Sequence, residues 1–488
     1  MIFWTEFIFF TIKNMKNFLI LALAAGTSFC AYADDTHKTI TWPDGTSHEV
    51  KPVLTMKVAV DGETERTFNF GSYQNEAYYA IDFGDGELVV TDSIGYTTST
   101  ASNAAATGVA KGEGVITVYA ESADDIWYFS TSTGMSNTSS IESIDLTNLK
   151  KVQQMSIGGA AVETMDVSAC DSLRNFTAAK GALTAMDFSN NPELTSLNLT
   201  DNKLASLNIS KNDKLDQLTV YNNELTVLDL TANAAITGLY AYGNKLSSVT
   251  FAEGAALKTI NLNDNALTEI ALPTITGSSS MLYLNNNQLT ELTVPTSVGT
   301  FEAANNKLAK ISLVDCTKSC KLENNCFTIA TLPAKPAGLN TASKIKKFTY
   351  APQAPMAVEA TVNGKLDLSS QLTAVGELEE GEATTVYAFA DAEGNALTEG
   401  TDYIVEGGVA TFNASFTGIH AVMTSDAFPK ATGDNAFVTT TFDVTAAVSI
   451  KNVANDSKSG NIYNMNGVKV AAPEKGINIS NGKKFYVM

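Results

Sequence analysis

A 21-residue spacing constrains this chain more than any other feature of its sequence. Leu194, Leu215, Ile236 and Leu257 recur at that period. Three residues after each stand Leu197, Leu218, Leu239 and Ile260, and five after stand Leu199, Val220, Ala241 and Leu262. Eight after stand Asn202, Asn223, Asn244 and Asn265. The unit reads L-x-x-L-x-L-x-x-N and continues x-L-x-x-L-x-L, as in Leu204, Leu207 and Ile209. A unit this short cannot bury its apolar edge alone, so neighbouring units must stack and share one core. The L-x-L alternation places two apolar side chains inward and their neighbours outward, as a short strand requires. An asparagine where the chain leaves the strand can satisfy turn backbone groups inside the stack.

Weaker copies extend the pattern. Val152, Met155, Ile157, Leu173 and Phe176 continue it upstream, with Ala160 and Gly181 in place of the asparagine. Downstream, Leu282, Leu284 and Asn287 are followed by Phe301, Ala303 and Asn306, then by Cys320, Leu322 and Asn325. The pattern resembles bacterial leucine-rich repeats, most closely the 21-residue, internalin-J-like class that also occurs in Bacteroidetes surface proteins. The resemblance implies a mainly β chain: a leucine-rich repeat solenoid with short strands and no long convex helices, flanked by β-sandwich modules. The asparagine ladder Asn202, Asn223, Asn244, Asn265, Asn287, Asn306 and Asn325 is then structural, and recognition falls to the concave face.

On that face the central outward column reads Asn198, Thr219, Tyr240, Asn261, Tyr283, Glu302 and Lys321. The next reads Thr200, Tyr221, Tyr242, Asn263, Asn285, Ala304 and Glu323. With strands roughly 4.8 Å apart, Tyr221, Tyr240 and Tyr242 are expected to form one aromatic cluster, with Tyr283 further along. Tyr221, Tyr240, Tyr242, Tyr283, Asn261 and Asn263 are the candidate binding residues, because tyrosine combines apolar area with a polar tip. The alternative is that tyrosine merely suits strand positions.

The flanks read as follows. Met15, Lys16 and Asn17, the apolar run 18–25 and Ala31-Tyr32-Ala33 form a signal peptide over 1–33, with Met1 or Met15 as the start. Ordinary cleavage is favoured over lipoprotein processing at Cys30, because bulky Phe29 precedes that cysteine. Residues 34–135 resemble a PKD-like β-sandwich, with a turn at Asp82-Phe83-Gly84-Asp85-Gly86. The solenoid is expected over 136–335, a linker over 336–353 and an Ig-like β-sandwich over 354–446. Residues 447–488 resemble a sorting-type β tail. The run Glu377, Glu379, Glu380 and Glu382 reads as a solvated loop.

Chemistry finds little material. The chain of 488 residues has three histidines, His37, His48 and His420, and shows no hydrolase, metalloprotease or nucleotide-binding motif. Cys170 reads as an inert buried thiol; at most one disulfide is available among Cys316, Cys320 and Cys326. A formal net charge of −20 would repel phosphate backbones, which excludes nucleic acid as a partner. No cofactor, metal or transmembrane segment is expected, and the chain is expected to be a monomer. The sequence therefore points to a secreted or cell-surface adhesion protein binding a protein or glycan without catalysis. The rival readings are an extracellular carbohydrate-active hydrolase and a non-binding spacer.

Overall fold

The structure, a computed structural model, describes residues 37–92, 104–131, 141–339, 347–358, 360–361 and 363–446, together with the backbone of four short strands between 462 and 487. The expected signal segment, Cys30 and both possible starts lie outside the described residues. Two compact units divide between Thr276 and Gly277. The chain is mainly β, as the repeat requires, and no described helix is long and apolar enough to cross a membrane.

In the first unit, strands 175–177, 196–198, 217–219, 238–240 and 259–261 pair in parallel, each aligned with the same position of the next. Register brings Leu197 beside Leu218, Leu218 beside Leu239 and Leu239 beside Ile260, all essentially sealed from solvent. Burying each such side chain contributes roughly 1.5–3 kcal/mol. The back of the coil is strand-like, Val227–Leu230 pairing in parallel with Ser248–Phe251. Between strand and back the chain must reverse within a few residues. It does so through a column of left-handed residues, Lys180, Asp201, Asn222, Gly243 and Asp264, with φ of 54–65°. Four of the five are Asp, Asn or Gly, the residues that adopt this region most readily.

The amino-terminal part is a two-sheet sandwich fused to the stack. One sheet orders strands 38–41, 47–58, 115–120, 80–82 and 88–90. The other sets 104–109 against 65–72 and 65–72 against 126–130. Phe68 and Phe70 of the second sheet, packed on Phe129, meet Phe83 and Tyr79, which flank strand 80–82 of the first. Strand Ile126–Ser130 also pairs in parallel with Gln154–Ser156, the first solenoid strand, while Ile141–Asp145 turns back to pair with the sandwich strand 47–58. The sequence boundary at 135/136 thus falls within shared sheets. An uncovered first coil would expose a row of unpaired backbone groups, and the sandwich covers them.

In the second unit, strands 281–283, 298–302, 316–321 and 347–349 continue the parallel pattern. The last was expected to be linker. Phe348, Tyr350 and Gln353 instead occupy the Leu, Leu and Asn positions of one further coil. Gln353 Nε2 donates to the carbonyls of Leu322 (2.8 Å) and Tyr350, and its Oε1 accepts from the N–H of Phe327 (3.3 Å). Beyond it, 383–390 pairs with 416–425, and 365–367, 403–406 and 409–412 form a second sheet around Phe389, Phe412 and Phe442. Glu377 is not solvated as expected. It accepts from the Tyr350 hydroxyl (2.7 Å) and pairs with Lys430 (2.6 Å). The tail strands 462–464, 469–470, 476–480 and 483–487 form one antiparallel sheet.

Candidate binding face

The asparagine ladder holds this face in shape. Asn223 Nδ2 donates to Leu199 O (2.9 Å) and Val220 O (3.1 Å), and its Oδ1 accepts from Leu204 N–H (3.0 Å). Asn202, Asn244 and Asn265 repeat this arrangement in the first unit, and Asn306 and Asn325 repeat it in the second. Asn287 donates to Leu284 O and Asn285 O within its own coil. The amides of Asn202, Asn223, Asn244, Asn265, Asn306 and Asn325 thereby tie each coil to the one before it.

A second ladder was missed from the sequence. Asn191, Asn212 and Asn233, at most 1% exposed, each donate through Nδ2 to two carbonyls of the preceding coil. Its signal was present, since these residues also stand 21 apart. Cys170 occupies the same position one coil earlier, its Sγ 3.9 Å from Leu146 O, and burial pushes its thiol up to about 12. Cys316, Cys320 and Cys326 are free thiols, the first two fully buried. Asp82 holds the expected turn, its Oδ1 accepting from the N–H groups of Gly84, Asp85 and Gly86.

With the coils tied together by these ladders, the outward columns are displayed in register. Tyr221 and Tyr242 stack, with ring centroids 4.3 Å apart and planes within 9°. Both rings are half-buried. Burial and the neighbouring Tyr221 phenol push the Tyr242 hydroxyl up to about 12. Tyr240 does not join the stack. It lies in the adjacent column, in register with Thr219 and Asn261, so the expected three-ring cluster is a stacked pair with a third ring beside it. The physical reason is spacing: Tyr240 and Tyr242 stand two residues apart on one coil, while Tyr221 and Tyr242 share a column across neighbouring coils. Gln217 flanks the group, its amide donating to Thr237 Oγ1 (3.0 Å) and lying where a side chain at Gly238 would stand. Asn261 and Asn263 follow Tyr240 and Tyr242 in their columns, and the Asn261 carboxamide accepts from the N–H of Asn263 (3.2 Å).

Tyr283 belongs to the second unit, where its hydroxyl lies 3.3 Å from Met281 Sδ. There the outward columns are charged as well as polar: Lys321 pairs with Glu302 (2.7 Å), and Asn285 Nδ2 donates to the same carboxylate (3.1 Å). The outward columns around Tyr221 and Tyr242 are uncharged, whereas these are not.

No protein-family model matches the chain, and no curated protein matches it. Among solved structures, the functional domain of InlJ from Listeria monocytogenes, described as including a cysteine ladder, is similar over 63% of this chain and 83% of that one. The identity is 14% and the TM-score 0.25. The repeat architecture therefore rests on the register and the ladders of this chain itself.

Proposed function

We propose that this chain is a secreted or cell-surface adhesion protein that recognises a protein or glycan through the outward face of its repeat sheet. The supporting observation is the stacked Tyr221–Tyr242 pair, with Tyr240, Asn261 and Asn263 beside it. It offers a rigid aromatic surface bordered by amides, and few rotamers need freezing on binding. Binding is non-covalent and needs no cofactor. Export rests on the signal-like segment 1–33, and a sorting role and a Bacteroidetes-type origin rest on the resemblance of the repeats and of 447–488.

The test is a screen of the full chain against a glycan array and a panel of extracellular host proteins, repeated with Tyr221, Tyr240 and Tyr242 all changed to Ala. Loss of about tenfold or more in affinity for a captured ligand supports the proposal. Undiminished binding by the triple variant, with its melting temperature preserved, refutes it.

A further inference from the structure

The amino-terminal sandwich carries a cleft of about 500 Å³, lined by residues of three chain segments around Trp42, Tyr78 and Glu121. That volume lies in the range of small-ligand sites. Trp42, 3% exposed, forms the base of an aromatic stack. Tyr78 lies on it at 5.4 Å and 22°, and His48 at 6.3 Å and 29°. A hydrogen-bonded chain fixes the wall: Thr46 Oγ1 donates to Asp44 (2.6 Å), His48 Nε2 lies 2.8 Å from Thr46 Oγ1, and His48 Nδ1 lies 3.1 Å from Glu121.

The charged side chains of this cleft are predominantly acidic. Asp44, Glu76, Glu121 and Asp125 line it, and no lysine or arginine does. Among the described residues none of the four is paired with a lysine or arginine. Thr46 holds the Asp44 carboxyl below its ordinary range, so it is ionised. Tyr79, 1% exposed, backs the cleft near Asp125, with its hydroxyl beside Ser72. A concave, low-dielectric wall of one charge sign concentrates ligands of the opposite sign, and the partly exposed Tyr78 ring offers a face to a cation.

We propose that this cleft binds an organic cation, a primary ammonium on an apolar stem, with the charge among Glu76, Glu121 and Asp125 and the stem against Tyr78. The site is separate from the repeat face, so either assignment can fail alone. The chemistry could come from a free amine or from a lysine side chain of a partner polypeptide.

The experiment is calorimetric titration of the full chain with cadaverine, with a blocked pentapeptide containing one lysine, and with uncharged 1,5-pentanediol and glucose. Saturable binding of cadaverine or the peptide at one site, absent for pentanediol and glucose, is expected. The tighter of the two cations identifies the source. Glu76→Gln with Glu121→Gln should weaken it about tenfold, as should Tyr78→Leu, which keeps bulk without the ring. Glu87→Gln, outside the cleft, should leave it unchanged. Absence of saturable binding by both cations, equal binding of pentanediol or glucose, or undiminished affinity in both cleft variants overturns the proposal.

Discussion

Replacing Asn223 by Ala removes one rung of the main ladder, and the loss can be worked bond by bond. Leu199 O keeps a second donor, Asn202 Nδ2 (3.0 Å), and Val220 O keeps Asn244 Nδ2 (3.0 Å). The carbonyls are therefore shared between consecutive rungs and survive the change. The buried N–H of Leu204 donates to Asn223 Oδ1 and is left without that acceptor. One orphaned donor costs about 1–3 kcal/mol, and the two lost bonds about 0.5–1.5 kcal/mol each, giving about 2–6 kcal/mol in all. Urea unfolding should show a lower midpoint with an unchanged slope. Amide exchange at Leu204 should accelerate, while Leu225, served by Asn244, stays protected. Asn223→Asp should be worse at neutral pH than at pH 3. Its carboxylate would face two carbonyls, so its folded pKa rises above the unfolded value and stability falls as pH increases. A midpoint within about 0.5 kcal/mol of wild type for Asn223→Ala would show that the ladder is not what holds the coils in register.

Two further outcomes follow from the same geometry. Cys170→Asn should be neutral or stabilising, because it extends the ladder of Asn191, Asn212 and Asn233 by one rung, whereas Cys170→Asp should destabilise; equal melting temperatures for the two variants would contradict this. Because the Tyr242 hydroxyl is raised from 10.0 to about 12, the folded state binds its proton more tightly. The associated stability is intact below about pH 10 and is lost between about pH 10 and 12. Tyr242→Phe should flatten that alkaline loss, and an identical pH profile for the two proteins would contradict the stacked, proton-retaining arrangement.

Much of the solenoid was legible because its signal is periodic. Leu197, Leu218, Leu239 and Ile260 are interchangeable instances of one position, so each confirms the others. Legibility failed where the period was filled by different chemistry. Gln353 performs the asparagine's task with a longer side chain, and Phe348 follows Cys320 by 28 residues, so this coil read as a linker. Asn191, Asn212 and Asn233 kept the period but were masked by the more familiar motif beside them. Glu377 looked like part of a solvated run, because nothing local reveals that Tyr350 and Lys430 come to it from 27 and 53 residues away.

What the sequence by itself determined is the repeating coil, the inward columns and the ladder, since these depend on spacing along one strand and on the identity of the next unit. Only the tertiary structure decided which rings touch, how the sandwich sheet runs into the first coil, and that Trp42, Tyr78, His48 and four carboxylates meet in one cleft. Those contacts join residues far apart in the chain with no shared period, and only the packing of the folded chain brings them within reach.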